Sequence, residues 1–149
     1  MESTPTAAQI RVRDALETAI RNRDSDLVET SLQDVFAGEL HPIYAPALIA
    51  LADADWHLRQ EDVVGALQRL RSPDAVVALE RCTFSVHEHL AYDEFFGPAR
   101  KCTWALADIG TPDAREALTR ISNSDNPIIA GYAKKRLDNW GNELNRKQG

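Results

Sequence analysis

The sequence predicts an all-α fold, an α-α superhelix of about eight helices built from three helix pairs with a capping helix at each end. Three observations predict it. A Pro-led decapeptide occurs three times, as PIYAPALIAL from Pro42, PDAVVALERC from Pro73 and PDAREALTRI from Pro112. Each copy places small or apolar residues at +2, +5, +6 and +9 from the Pro: Tyr44, Ala47, Leu48, Leu51; Ala75, Ala78, Leu79, Cys82; Ala114, Ala117, Leu118, Ile121. That spacing is one stripe of an α-helix, and Pro fits the first turn, where its missing N–H costs nothing. The stretch before each Pro repeats as well. Leu32 and Phe36, Val63 and Leu67, Cys102 and Leu106 stand at −10 and −6, with Leu70 and Ile109 at −3 in the later copies and Leu40 replacing Glu39 in the first.

Taken in order, residues 6–22 form a first helix with Val12, Leu16, Ala19 and Ile20 on one face, and the stretch from Arg21 to Asp26 breaks it. Asp24 or Ser25 caps a second helix carrying Val28, Leu32, Val35 and Phe36, which Gly38 ends. The repeat units run over about 24–52, 57–84 and 97–122, each a helix, a short turn and a helix, which is an αα-hairpin. In the turns, Gly110 takes the left-handed conformation that ends a helix. Ser72 or Thr111 caps the next helix ahead of its Pro, and Asp74 and Asp113 oppose the positive end of its macrodipole. Asp55 is a candidate cap before the second unit, with Trp56 tucked under the connector. Ala133, Leu137, Trp140 and Gly141 repeat the first half of a unit without a Pro block after it, so a closing helix over about 127–144 covers the end of the stack. MESTPTAAQ and the stretch from Asn142 to Gly149 read as loose ends.

Length and composition place the chain as one domain of 149 residues, 44% hydrophobic and 27% charged, in the range of a soluble globular protein. No apolar run approaches a membrane span and the start is not that of a signal peptide, so the expected location is the cytoplasm. Cys82 and Cys102 both lie on apolar stripes and read as buried, inert thiols, which suits a reducing compartment. Net charge is −6, unevenly spread: residues 24–96 carry −10, residues 1–23 carry +1 and residues 97–149 carry +3. An acidic centre argues against nucleic-acid binding and suits a basic protein partner.

The copies agree closely. ALQRLRSPDAVVALER and ALADIGTPDAREALTR share eight of 16 positions, including Pro, the Asp after it, Ala-Leu and a final Arg. On VVGALQRLRSPDAVVALERC and CTWALADIGTPDAREALTRI the chain resembles the HEAT-like repeat family, in the short bacterial type found in phycobilisome-lyase-related proteins. The resemblance covers roughly residues 24–141. It implies a HEAT-like solenoid. Such folds scaffold protein contacts, serve lyases, or in one branch bind damaged DNA, so the fold does not choose among them.

The candidate site comes from the one irregularity. Successive Pro residues are 31 and then 39 residues apart, so eight surplus residues lie between Cys82 and Gly97. Insertions in repeat proteins map to loops, often on the binding face. The expected partner-binding residues are Glu80 and Arg81 together with His87, Glu88, His89, Tyr92, Asp93 and Glu94 in the insert, whose aromatic rings and carboxylates suit a protein interface. The bland alternative is that Phe84, Leu90, Phe95 and Phe96 fold inward and only extend two helices. His87, His89 and Asp93 lack metal-ligand spacing, and no catalytic constellation, metal or cofactor is expected. Trp104 is expected to pack on a neighbouring repeat and Trp140 in the core, while Lys134, Lys135 and Arg136 read as a solvated face. The second helices carry Glu80, Arg81, Arg115, Glu116 and Arg120, a mixed set unlike the basic groove of a DNA-binding relative.

The function these features favour is non-enzymatic binding of a basic protein through an acidic, irregular surface. Its concrete form is an immunity protein that occludes a bacterial toxin domain. A lyase or enzyme accessory subunit with a ligand pocket around residues 87–94 is the alternative. Lesion-binding on DNA ranks third.

Overall fold

The computed structural model describes residues 4–85 and 97–141. Among them are eight α-helices and no strand: α1 (Ala7–Asn22), α2 (Ser25–Ala37), α3 (Ala45–Ala52), α4 (Gln60–Leu70), α5 (Val76–Phe84), α6 (Gly97–Ile109), α7 (Pro112–Ser122) and α8 (Pro127–Asp138). Residues 1–3, 86–96 of the insert and 142–149 lie outside the described residues, whereas Thr6 to Gln9, expected to be part of a loose end, form the cap and first residues of α1. Two layers result. Helices α1, α3, α5 and α7 stack side by side in one, and α2, α4, α6 and α8 in the other. The N-terminal capping helix therefore extends the Pro-block layer, and the closing helix extends its opposite.

Within this arrangement each Pro-block helix packs most closely on the first helix of the following unit: α3 on α4, α5 on α6, α7 on α8. The repeat as written and the closest packing are offset by one helix. The facing stripes are rich in buried alanine, including Ala75, Ala78, Ala99, Ala105, Ala107, Ala114 and Ala117, which lets helix axes approach. One continuous core runs from Leu16 to Ala133 through Leu48, Leu51, Leu67, Leu79, Leu106 and Leu118. Helix α6 is its hub, touching α4, α5, α7 and α8.

Local signals explain most boundaries. Thr6 and Gln9 form a capping box at the start of α1, Asp24 caps α2 and Asn126 caps α8. Thr111 Oγ1 accepts from the Ala114 N–H at 3.2 Å, the expected cap. Ser72 makes no side-chain cap bond, contrary to expectation; there Pro73 begins a one-turn 3₁₀ helix, Pro73–Ala75, that leads into α5. Pro42–Tyr44 is a second such turn, and its cap is His41, whose Nδ1 accepts from the Ile43 N–H at 3.0 Å.

Asp55 is likewise not the cap of α4, whose flanking residue is Arg59, without a side-chain bond. The connector before α4 is held from within instead. His57 is buried, donates from Nε2 to the Leu51 carbonyl at 2.8 Å and accepts the Arg59 N–H on Nδ1 at 3.0 Å. Gln60 Nε2 donates to the carbonyls of Ala54 and His57. Trp56 is half-buried and meets the His57 ring edge-on.

Position −2 from the Pro carries a local strain. Gly110 has φ 70°, as expected of a left-handed helix terminus, and Arg71 occupies the equivalent place with φ 51°. A side chain in that region costs about 1–2 kcal/mol, partly offset by the ~0.5–1 kcal/mol of backbone entropy that glycine forfeits on folding. Arg71→Gly is therefore expected to stabilise the protein by about 0.5–1 kcal/mol, read as a higher urea midpoint with an unchanged slope.

Cys82 and Cys102 are free and buried, facing each other between α5 and α6. Cys82 Sγ donates to the Ala52 carbonyl at 3.2 Å. Its hydrogen bond with Cys102, and then burial, push the Cys102 thiol well above its ordinary range. An unfolded thiol ionises near pH ~8.5, so the unfolded state loses this proton first. The stability present below that pH is thus lost as pH rises toward the folded value. Urea midpoints should fall above pH ~8.5, less so in Cys102→Ala, and neither thiol should react with a disulfide reagent until the chain unfolds.

Candidate protein-binding surface

Helix α5 offers its outward face as the approach to the insert. Val77, Arg81 and Phe84 fall at i, i+4 and i+7, one stripe of a helix, and all three are exposed, Val77 at 64% and Phe84 at 48%. The bland expectation that Phe84 folds inward does not hold. It cannot, because the core side of α5 is already filled by Ala78, Leu79 and Cys82.

Of the eight residues expected to bind a partner, Arg81 lies on this stripe and Glu80 beside it. His87, Glu88, His89, Tyr92, Asp93 and Glu94 lie outside the described residues, as do Leu90, Phe95 and Phe96. Glu80 accepts a two-pronged ion pair from Arg120 of α7, Nε to Oε2 at 2.7 Å and Nη2 to Oε1 at 2.8 Å. Arg81 Nε meets Asp53 Oδ2, at the end of α3, at 3.1 Å. Arg81 and Arg120 share position +8, and each reaches back to a carboxylate of the preceding copy. That accounts for the Arg among the repeated identities, which capping and core packing leave unexplained. The opposite layer is tied in the same direction by Arg59 to Glu29 and Lys101 Nζ to Glu61 at 3.3 Å, and in the reverse direction by Gln68 Nε2, which donates forward to Asp108 at 2.7 Å.

The closing helix departs from expectation at one residue. Lys134 and Lys135 are exposed, but Arg136 is only 5% exposed. Its guanidinium lies 3.5 Å from the centre of the Trp104 ring. Trp104 thus packs on a neighbouring element as expected, against a cation rather than an apolar stripe. Trp140 is half-buried against the core with Arg115 near its ring.

Phe36 also departs. It stands at −6, the register of Leu67 and Leu106, which are fully buried, yet it is 38% exposed with the Arg69 guanidinium 5.9 Å above its ring. Helix α2 touches α4 only lightly, whereas α4 lies firmly on α6, so the same register meets a wall in the later copies and a gap in the first. That gap is a groove of about 250 Å³ lined by Glu29, Leu32, Gln33, Phe36, Arg59 and Asp62. A second hollow, about 350 Å³, lies along Ala8, Arg11, Val12, Ala15 and Asp34 between α1 and α2. No group of three or more His, Cys, Asp or Glu among the described residues is placed to hold a metal ion. No described helix is long and apolar enough to cross a membrane.

Helix pairs of one design, stacked in two layers and cross-linked by arginines at one repeated position, define an α-helical repeat protein. Residues 98–124, which span α6 and α7, match the family model of the PBS lyase HEAT-like repeat, so the repeat is of the HEAT-like family. No curated protein and no solved structure matches the chain.

Proposed function

We propose that this protein is a non-enzymatic binding module whose acidic, irregular surface engages a basic protein, in its sharpest form an immunity protein that occludes a bacterial toxin domain. The observation that carries the reading is the exposed stripe of α5, where Val77 and Phe84 present apolar surface and lead directly into the acidic insert. Exposed apolar side chains rimmed by charge suit a protein partner, and opposite charges speed the encounter. Ion pairs to neighbouring copies hold α5 in position through Arg81 and Glu80, so its exposed stripe meets a partner with little ordering cost.

The test is a pull-down from the native host. A stoichiometric basic protein that is lost when Glu88, Asp93 and Glu94 are changed to Lys supports the reading. Absence of any protein partner, together with melting that responds to small ligands, overturns it in favour of a second reading. That second reading, an accessory to a lyase-type enzyme, takes its support from the description of the matched repeat.

A further inference from the structure

The gap between α2 and α4 coincides with the most acidic part of the chain. Residues 24–62 contain nine Asp or Glu and a single Arg, with no Lys. On α2, Asp26, Glu29, Gln33 and Phe36 follow one another at helical spacing along one face, and the groove is lined by the last three of them. Its floor is Leu32, its aromatic wall is Phe36, and Asp62 at the start of α4 closes the far side.

Two of the chain's own arginines show what this lining receives. Arg59 pairs with Glu29, and Arg69 lies over the Phe36 ring. One guanidinium meets a carboxylate and the other an aromatic face, the two principal ways an arginine is bound. Asp62 is exposed and makes no salt bridge with the described residues. Glu29 is matched by Arg59, so Asp62 is the lining's unmatched charge, set beside an apolar floor and an aromatic wall; that disfavours a phosphate backbone and fits a partly apolar peptide carrying a basic side chain.

We propose that the α2–α4 groove docks a basic amphipathic segment of a protein, with an apolar side chain against Phe36 and Leu32 and a Lys or Arg side chain against Asp62, beside the Arg59–Glu29 pair. This rests on reading the chain as a binding module and adds a surface distinct from the exposed stripe of α5. The groove's carboxylates and its ring act together: the first attract and orient the segment, the second supplies contact area once water is expelled.

The test uses the full chain, nitrogen-labelled, titrated with a helical peptide of leucine and lysine patterned on one apolar and one basic face. Amide shifts confined to α2 and the first turn of α4, with affinity lowered more than tenfold by Asp62→Lys and by Phe36→Ser, support the proposal. Asp113→Lys, the same change in the first turn of α7, is the charge-matched control and should leave affinity nearly unchanged. Asp62 and Asp113 both oppose the macrodipole from a first helical turn, so the two Lys variants should lower the melting temperature slightly and alike. Shifts centred on α5, or equal losses in the control, overturn the groove assignment and leave the binding-module reading standing. Failure of the peptide to bind at all also overturns the groove, whereas the host pull-down decides the reading itself.

Discussion

Leu106→Ala should cost about 2–5 kcal/mol of folding stability, the range for deleting a fully buried leucine and leaving a cavity. Leu106 has no exposed surface and sits on α6, which touches four other helices, so little of the space can be recovered by collapse. Against a typical total of about 5–15 kcal/mol, this is a large share. The measurement is urea unfolding, with a lower midpoint and an unchanged slope. Phe36→Ala, at the same register in the first unit, should cost only about 1 kcal/mol, because Phe36 is already 38% exposed and loses the Arg69 contact along with part of its packing. Equal losses from the two would mean that the gap between α2 and α4 is closed in solution.

Arg136→Ala should be the second most damaging change, at about 2–4 kcal/mol, since it removes both a desolvated cation over an indole ring and the packing of a long side chain. Arg136→Met keeps most of the packing and should lose roughly half as much, about 1–2 kcal/mol. The contact joins α8 to α6, so the loss is local before it is global. Hydrogen exchange should report faster opening of α8 in either variant, while amides of α3 and α4 keep their protection. Uniform acceleration along the whole chain would count against Arg136 as the clasp of the closing helix.

Most of the architecture was legible in the sequence because the fold is one hairpin written repeatedly. The apolar stripe, the Pro at the first turn and the left-handed Gly110 act within about ten residues of chain, and local signals of that kind need no knowledge of neighbours. What sequence reasoning missed depends on which helix stands opposite. Phe36 and Leu106 have the same register and opposite fates because α2 has only a loose neighbour and α6 has firm ones. Arg136 looks like part of a basic run until α8 is laid on α6 and its side chain falls on Trp104. The recurring Arg81 and Arg120 were visible as identities, and a search for acidic partners one period upstream would have found Asp53 and Glu80. Of the candidate site itself, charge and the eight surplus residues were legible. The exposed stripe of α5 was not, since Val77 and Phe84 look apolar and only the filled core side of the helix pushes them outward.

The back-reaching arginines also give the stack a grammar of beginnings and endings. At position +8 the first copy has Ala50, so nothing in it reaches toward an earlier copy. In the third copy the two positions that receive arginines carry Thr119 and Asn123 instead of carboxylates, so nothing there awaits a fourth. Only the middle copy both reaches and receives, through Arg81 and Glu80. Individually such exposed pairs are worth little, but each wrong splice of copies leaves a charge opposite a mute neighbour.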